Sequence, residues 1–155
     1  NCMKWGPLQP QDCDLWRWDE ADAFVAFCEK HSVRIKGHTL VWHNQMPRWV
    51  DESISPSELR RAILAHVRTA VGRYKGRIKS WDVVNEAISD EEHIRAGAGA
   101  FRPSLLFRKL GASIVEEAFH TAHEADPDCC LIYNDYNVLE VSPKSDRMFA
   151  LVKGM

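Results

Sequence analysis

Three short runs, VRIKGHTLVWH (33–43), which is rich in β-branched residues, IKSWDVV (78–84) and CCLIYNDYN (129–137), alternate with stretches whose apolar residues recur every three or four positions. This alternation constrains the fold more than any other feature. Apolar runs of that length read as strands, and the periodic stretches between them read as helices with one buried face. Ala21, Phe24, Val25 and Cys28 fall at i, i+3, i+4 and i+7 and predict one apolar stripe on a helix over 19–31. Ser55, Pro56 and Glu58 supply an N-cap, an N1 proline and a capping-box acid for the next helix. Its buried face is predicted to be Leu59, Ile63, Val67, Ala70, Val71 and Tyr74, with Gly76 placed to end it. After a more broken stretch, Ile114, Val115, Ala118, Phe119 and Ala122 repeat with helical spacing before Pro127, and Ser142-Pro143 starts one more helix. Strands separated by helices become parallel neighbours joined by crossovers, so the expected class is α/β.

Polar and aromatic residues collect at one place in each unit. His38 to Gln45, Asn85 with Glu86, and Asn134 to Asn137 all lie at or just beyond the C-terminal end of a predicted strand. A buried strand interior has no use for an unpaired charge, because an uncompensated carboxylate is costly to desolvate. A strand end is different, since in an α/β barrel several such ends face one mouth. Asn85 and Glu86 are therefore expected at a mouth.

Composition narrows the function classes. At 155 residues, 45% hydrophobic and 27% charged, the chain has enough apolar material for a core, and disorder is not expected. A formal charge of −2 with interleaved signs offers no basic stripe for nucleic acid. No apolar run reaches eighteen residues, so no membrane span is expected, and the N-terminus lacks a charged-then-apolar leader, as a mature or excised protein would. The cysteines at 2, 13, 28, 129 and 130 have neither C-x-x-C nor Cys/His zinc spacing. Adjacent Cys129 and Cys130 should point to opposite faces of a strand. His38 and His43, five residues apart on an extended segment, also face opposite ways, so no metal and no other cofactor is implied.

NCMKW (1–5), GHTLVWHNQMPRW (37–49), WDVVNEA (81–87) and YNDYN (133–137) resemble, in order and spacing, the segments after strands two to five of glycoside hydrolase family 10, the retaining endo-xylanases. The resemblance covers essentially the whole chain. It implies a (β/α)8 TIM barrel, of which 1–155 would be the central part of one catalytic domain, acting on internal β-1,4 bonds of xylan in a secreted setting. It further implies that Glu86 is the general acid/base and that Asn85 contacts the 2-hydroxyl at the cleavage point. His38, Trp42 and Gln45 match the sugar-contacting set beyond strand three, Asn1 and Lys4 match the glycone side, and Tyr136 matches the leaving-group side. Taken singly, each has a plainer reading: a helix-initiating or ion-paired acid, a turn-forming Asn, a core His or Trp, a solvated Lys, a Tyr packed on its neighbours. His43 and Trp49 would only support their loop.

Retaining hydrolysis needs a second carboxyl about 5–5.5 Å from the first. A barrel of this kind typically takes about 250 residues, and the resemblance places the nucleophilic Glu on a strand beyond Met155. Asp135 and Glu140 lack the matching motif. The expectation is a xylanase segment holding half of the catalytic pair and inactive alone, with xylan or xylo-oligosaccharide as substrate. The alternative is a noncatalytic carbohydrate-binding fragment that keeps the glycone contacts and turns nothing over.

Overall fold

The computed structural model describes residues 2–91 and 100–155. Its elements run α1 (Trp5–Leu8), α2 (Asp19–Lys30), β1 (Lys36–Trp42), α3 (Pro56–Arg73), β2 (Ser80–Asn85), α4 (Leu105–Leu110), α5 (Ser113–Ala125), β3 (Cys130–Asn134) and α6 (Pro143–Gly154). The three strands form one parallel sheet in the order β1-β2-β3, with helices in the crossovers. The α/β reading therefore holds. The short helices α1 and α4 lie where no periodic pattern announced them, since four to six residues cannot show a 3.6-residue repeat.

Local chemistry explains the helix ends. Ser55 Oγ accepts from the Glu58 amide while the Glu58 carboxylate accepts from the Ser55 amide at 3.1 Å, a reciprocal cap that opens α3. Gly76, three residues past the end of α3, takes φ +73°, and its amide donates to Asp126 Oδ2 at 3.0 Å. Ser142 caps α6 in the same reciprocal way with Ser145.

The core lies between the sheet and the pair α3 and α5. Leu59, Ile63, Val67, Ala70, Val71 and Tyr74 are all buried as the periodicity predicts, as are Ile114, Val115, Ala118 and Ala122. In α2 the stripe is narrower than expected: Ala21, Val25 and Cys28 are buried, but Phe24 is 45% exposed. At 100° per residue Phe24 sits about 60° off the Ala21 direction, at the edge of the buried face. The central strand β2 is buried almost throughout, whereas the edge strand β3 is half-buried at most positions. Cys129 is buried and Cys130 exposed, the expected opposition.

One expectation fails inside β2. Asp82 is a charge in the strand interior, with its side chain only 3% exposed. It is paired: Lys36 Nζ lies 2.8 Å from Oδ1 and His38 Nδ1 lies 2.8 Å from Oδ2. The desolvation argument applies to unpaired charges, and β1 brings two partners to it, His38 in register opposite and Lys36 from two residues earlier.

Candidate active site

Parallel strands place all three C-terminal ends at one edge of the sheet. Trp42 is in register with Asn85, and Asn85 with Asn134, so the three strands end in one row. Just past that row the chain turns sharply in each unit: Gln45, Glu86 and Asn137 have φ of +51°, +53° and +54°. A non-glycine residue in this left-handed region is uncommon and costs about 1–3 kcal/mol unless its surroundings enforce it, and such residues cluster at functional sites.

The structure brings most of the predicted residues together around Glu86. Trp42 Nε1 donates to Glu86 Oε2 at 2.8 Å, and the Glu86 amide donates to the Asn134 carbonyl at 2.8 Å. Asn85 is buried, and its Oδ1 accepts from Asn134 Nδ2 at 2.6 Å, which leaves Asn85 Nδ2 to donate elsewhere. Lys4 is also buried, with Nζ 4.6 Å from the centre of the Trp42 ring. The solvated-Lys alternative does not hold. His38 is half-buried, anchored on Asp82, with its ring 6.4 Å from that of Trp42. The Gln45 side chain is exposed, while its carbonyl accepts from the Gly6 amide at 2.9 Å and ties α1 to the loop after β1. Asn1 lies outside the described residues.

Tyr136 is linked to Glu86 through Arg102. Its hydroxyl bonds to Asp90 and to Arg102, and Lys144 Nζ lies 3.7 Å from its ring centre. Burial pushes the Asp90 carboxyl up, but hydrogen bonds from Lys144, Tyr136 and Arg102 outweigh it and hold the group well below the usual carboxylate range. The bond to Asp90 raises the Tyr136 phenol. His43 is half-buried between these groups and Trp42, with Nδ1 buried and unpartnered among the described residues. Burial and the Arg102 charge lower its pKa, against the pull of Glu86, Asp135 and Asp90. Trp49, in contrast, serves its loop: Nε1 donates to the Gln9 carbonyl at 2.8 Å. Asp135, a carboxylate without a matching motif, has a fully buried side chain held by Tyr133 and Lys144.

Sequence reasoning missed Asp82, Asp90, Arg102, Tyr133 and Lys144. Asp82 carried a signal, a carboxylate inside an apolar run, which implies partners on the neighbouring strand. The others carried none, because sixteen residues separate Arg102 from the Glu86 carbonyl it binds at 2.9 Å and fifty-four separate Lys144 from Asp90. Among the described residues no three His, Cys, Asp or Glu side chains gather to hold a metal ion.

The assembled site is a half-buried carboxyl with a neutral donor, flanked by an amide, an indole face and a network of charge-assisted bonds. Such a surface suits hydroxyl-rich ligands, whose ring faces stack on indole and whose oxygens take neutral donors. Comparison with known proteins gives the family. The model of glycosyl hydrolase family 10 matches residues 1–155. Endo-1,4-beta-xylanase B of Thermotoga neapolitana is 40% identical over 156 residues, spanning 100% of this chain and 43% of that protein. Endo-1,4-beta-xylanase 3 of Hypocrea jecorina is 43% identical over 138 residues, spanning 89% of this chain and 38% of the relative. Among solved structures, xylanase 10B of Thermotoga maritima superposes with a TM-score of 0.90 at 40% identity, covering 99% of this chain and 45% of that one. Xylanase 10B of Thermotoga petrophila RKU-1, solved with xylobiose, matches with the same TM-score at 39% identity. The chain thus spans less than half the length of these relatives and matches part of their barrel. It belongs to glycosyl hydrolase family 10.

Proposed function

We propose that these residues form the acid/base half of a retaining endo-1,4-β-xylanase site, in a secreted protein that cleaves internal bonds of xylan. The observation that carries the reading is Glu86 itself, presented in a left-handed turn at the end of the central strand with Asn85 beside it and Trp42 bonded to its carboxyl. In the first step Glu86 protonates the departing glycosidic oxygen while a nucleophilic carboxylate, supplied by barrel outside this chain, attacks the anomeric carbon. In the second step Glu86 takes a proton from water, which displaces the enzyme from the sugar with net retention. Asn85 hydrogen-bonds the sugar 2-hydroxyl, a contact that strengthens in the oxocarbenium-like transition state. Asn1 and Lys4 hold the glycone side, His38, Trp42 and Gln45 contact the sugar from β1 and the loop after it, and Tyr136 lines the leaving-group side. The 155 residues alone turn nothing over.

The experiment replaces the matching segment of Thermotoga maritima xylanase 10B with residues 1–155. The grafted barrel should hydrolyse xylan. In its Glu86→Ala variant, an aryl xylobioside with an acidic phenol still leaves without protonation, so phenol should appear in a burst followed by slow turnover. Xylan should be nearly inert to the variant. Azide needs no base, so adding it should restore turnover and give a β-glycosyl azide. Full activity on xylan, or an α-azide, would sink the assignment.

A further inference from the structure

Glu86 occupies a backbone conformation that nothing in its own side chain favours, so the surrounding groups must enforce it. Four main-chain groups at and after Glu86 are engaged. Its amide bonds to the Asn134 carbonyl, and its carbonyl accepts from Arg102 Nε at 2.9 Å. The next two amides, of Ala87 and Ile88, both donate to one atom, the Tyr133 hydroxyl, at 3.1 and 3.2 Å. Tyr133 in turn donates to Asp135 Oδ2 at 2.7 Å. Asp135 Oδ1 meets Lys144 Nζ at 2.8 Å, Lys144 also meets Asp90 Oδ1 at 2.7 Å, and Asp90 Oδ2 meets Arg102 Nη2 at 2.7 Å. The circuit closes on itself, running from the Glu86 carbonyl round to the amides that follow it. It joins the loop after β2, the segment before α4, β3 and α6.

The circuit holds two carboxylates and two cations, so its own formal charge is zero. Among the described residues no cation is bonded to the Glu86 carboxyl, whose partner is the neutral Trp42 indole. A group that must both give and take a proton is poorly served by a salt bridge to its own oxygens, since that favours one form. Gripping the main chain avoids the conflict: the side chain is aimed without any of the circuit's charges being bonded to its carboxyl oxygens.

We propose that Tyr133 and Arg102 are positioning residues for Glu86, fixing through the main chain the turn that directs its carboxyl to Trp42 and the mouth. The proposal rests on the acid/base reading of Glu86 for its functional meaning, but its geometric part is testable without activity. In the 155-residue chain, Tyr133→Phe should speed hydrogen exchange at the Ala87 and Ile88 amides at least tenfold and shift the Trp42 indole N–H resonance. The indoles of Trp49 and Trp5, bonded to Gln9, should not move. Arg102→Lys keeps a cation opposite Asp90 but loses the bond to the Glu86 carbonyl, and it should shift the same Trp42 signal. It also covers the case in which Tyr133→Phe fails to fold. In the grafted barrel both variants should lose at least tenfold in kcat on xylan with KM within about twofold, and less than threefold in the initial, single-turnover rate of phenol release from an aryl xylobioside with an acidic phenol. A merely structural residue would depress both substrates alike. Equal losses, or fast exchange at Ala87 and Ile88 with the Trp42 indole unmoved, overturn the positioning role. An inert parent graft that still shows the indole shift would instead overturn the acid/base reading and leave the clamp as geometry.

Discussion

At the Glu86 carboxyl the decisive contact is with Trp42, an indole N–H 2.8 Å from Oε2. The residue that fits a sugar-stacking role by its ring face thus also steadies the carboxyl by its edge. A hydrogen bond to a charged acceptor is worth about 1.5–3 kcal/mol, and about 1.4 kcal/mol is tenfold in rate. Trp42→Phe keeps an aromatic face and removes the donor. It should therefore lower xylan turnover of the grafted barrel about tenfold to a hundredfold, with a fall of only a few degrees in its melting temperature. A large fall in melting temperature with normal turnover in the remaining folded enzyme would make Trp42 a packing residue only.

At the scale of the element, β1 and β2 are locked together by one close approach. Gly37 is in register with Trp81, and the Trp81 ring occupies the space a Cβ on residue 37 would need. Trp81 is fully buried in the central strand and has nowhere to retreat. Gly37→Ala should cost about 1–3 kcal/mol or more as overpacking, seen as a lower midpoint in urea. Adding Trp81→Val should recover part of that loss, because the clash belongs to the pair. A fully additive double variant would show that Gly37 acts through backbone freedom instead. The same pair sets the position of Glu86, since a displaced β2 would carry the end of the strand away from Trp42.

For the whole molecule, acid sensitivity should follow chiefly from one buried ring, with half-buried His43, also lowered by burial, adding a smaller loss in the same direction. His66 on α3 is completely buried, and its ring stacks with Trp5 at 5.4 Å and with Trp16 at 5.8 Å. Neither ring nitrogen makes a well-formed hydrogen bond among the described residues. Burial pushes its pKa down to about 3, against a smaller pull from the Leu40 backbone. The unfolded chain protonates histidine near pH 6.5, so the unfolded state binds the extra proton as pH falls between about 6.5 and 3. Stability should be lost across that window, by up to about 1.4 kcal/mol per pH unit. Asp90, whose pKa is also depressed, adds its own loss only below the usual carboxylate range near 4. Denaturant melts of His66→Phe should therefore be flatter between pH 6.5 and 4, with the loss below 4 retained. An unchanged slope would assign the sensitivity elsewhere.

The sequence by itself determined which segments are strands and which are helices, because those choices rest on local periodicity and capping that neighbouring residues decide among themselves. The buried face of α3, its reciprocal Ser55 and Glu58 cap, and the grouping of Trp42, Asn85 and Glu86 at strand ends were legible in this way, whereas His38, expected at a strand end, lies near the start of β1 opposite Asp82. Short elements such as α1 and α4 were not, and Phe24 was misplaced because the width of a buried stripe depends on what packs against it. Only the tertiary structure decided the electrostatics. Asp82 is tolerable in a strand interior because Lys36 and His38 arrive from β1, and Glu86 keeps its turn because Arg102 and Tyr133 arrive from other segments. A charge or a strained backbone is stabilised by groups close in space, and spacing along the chain carries no information about which distant groups those will be.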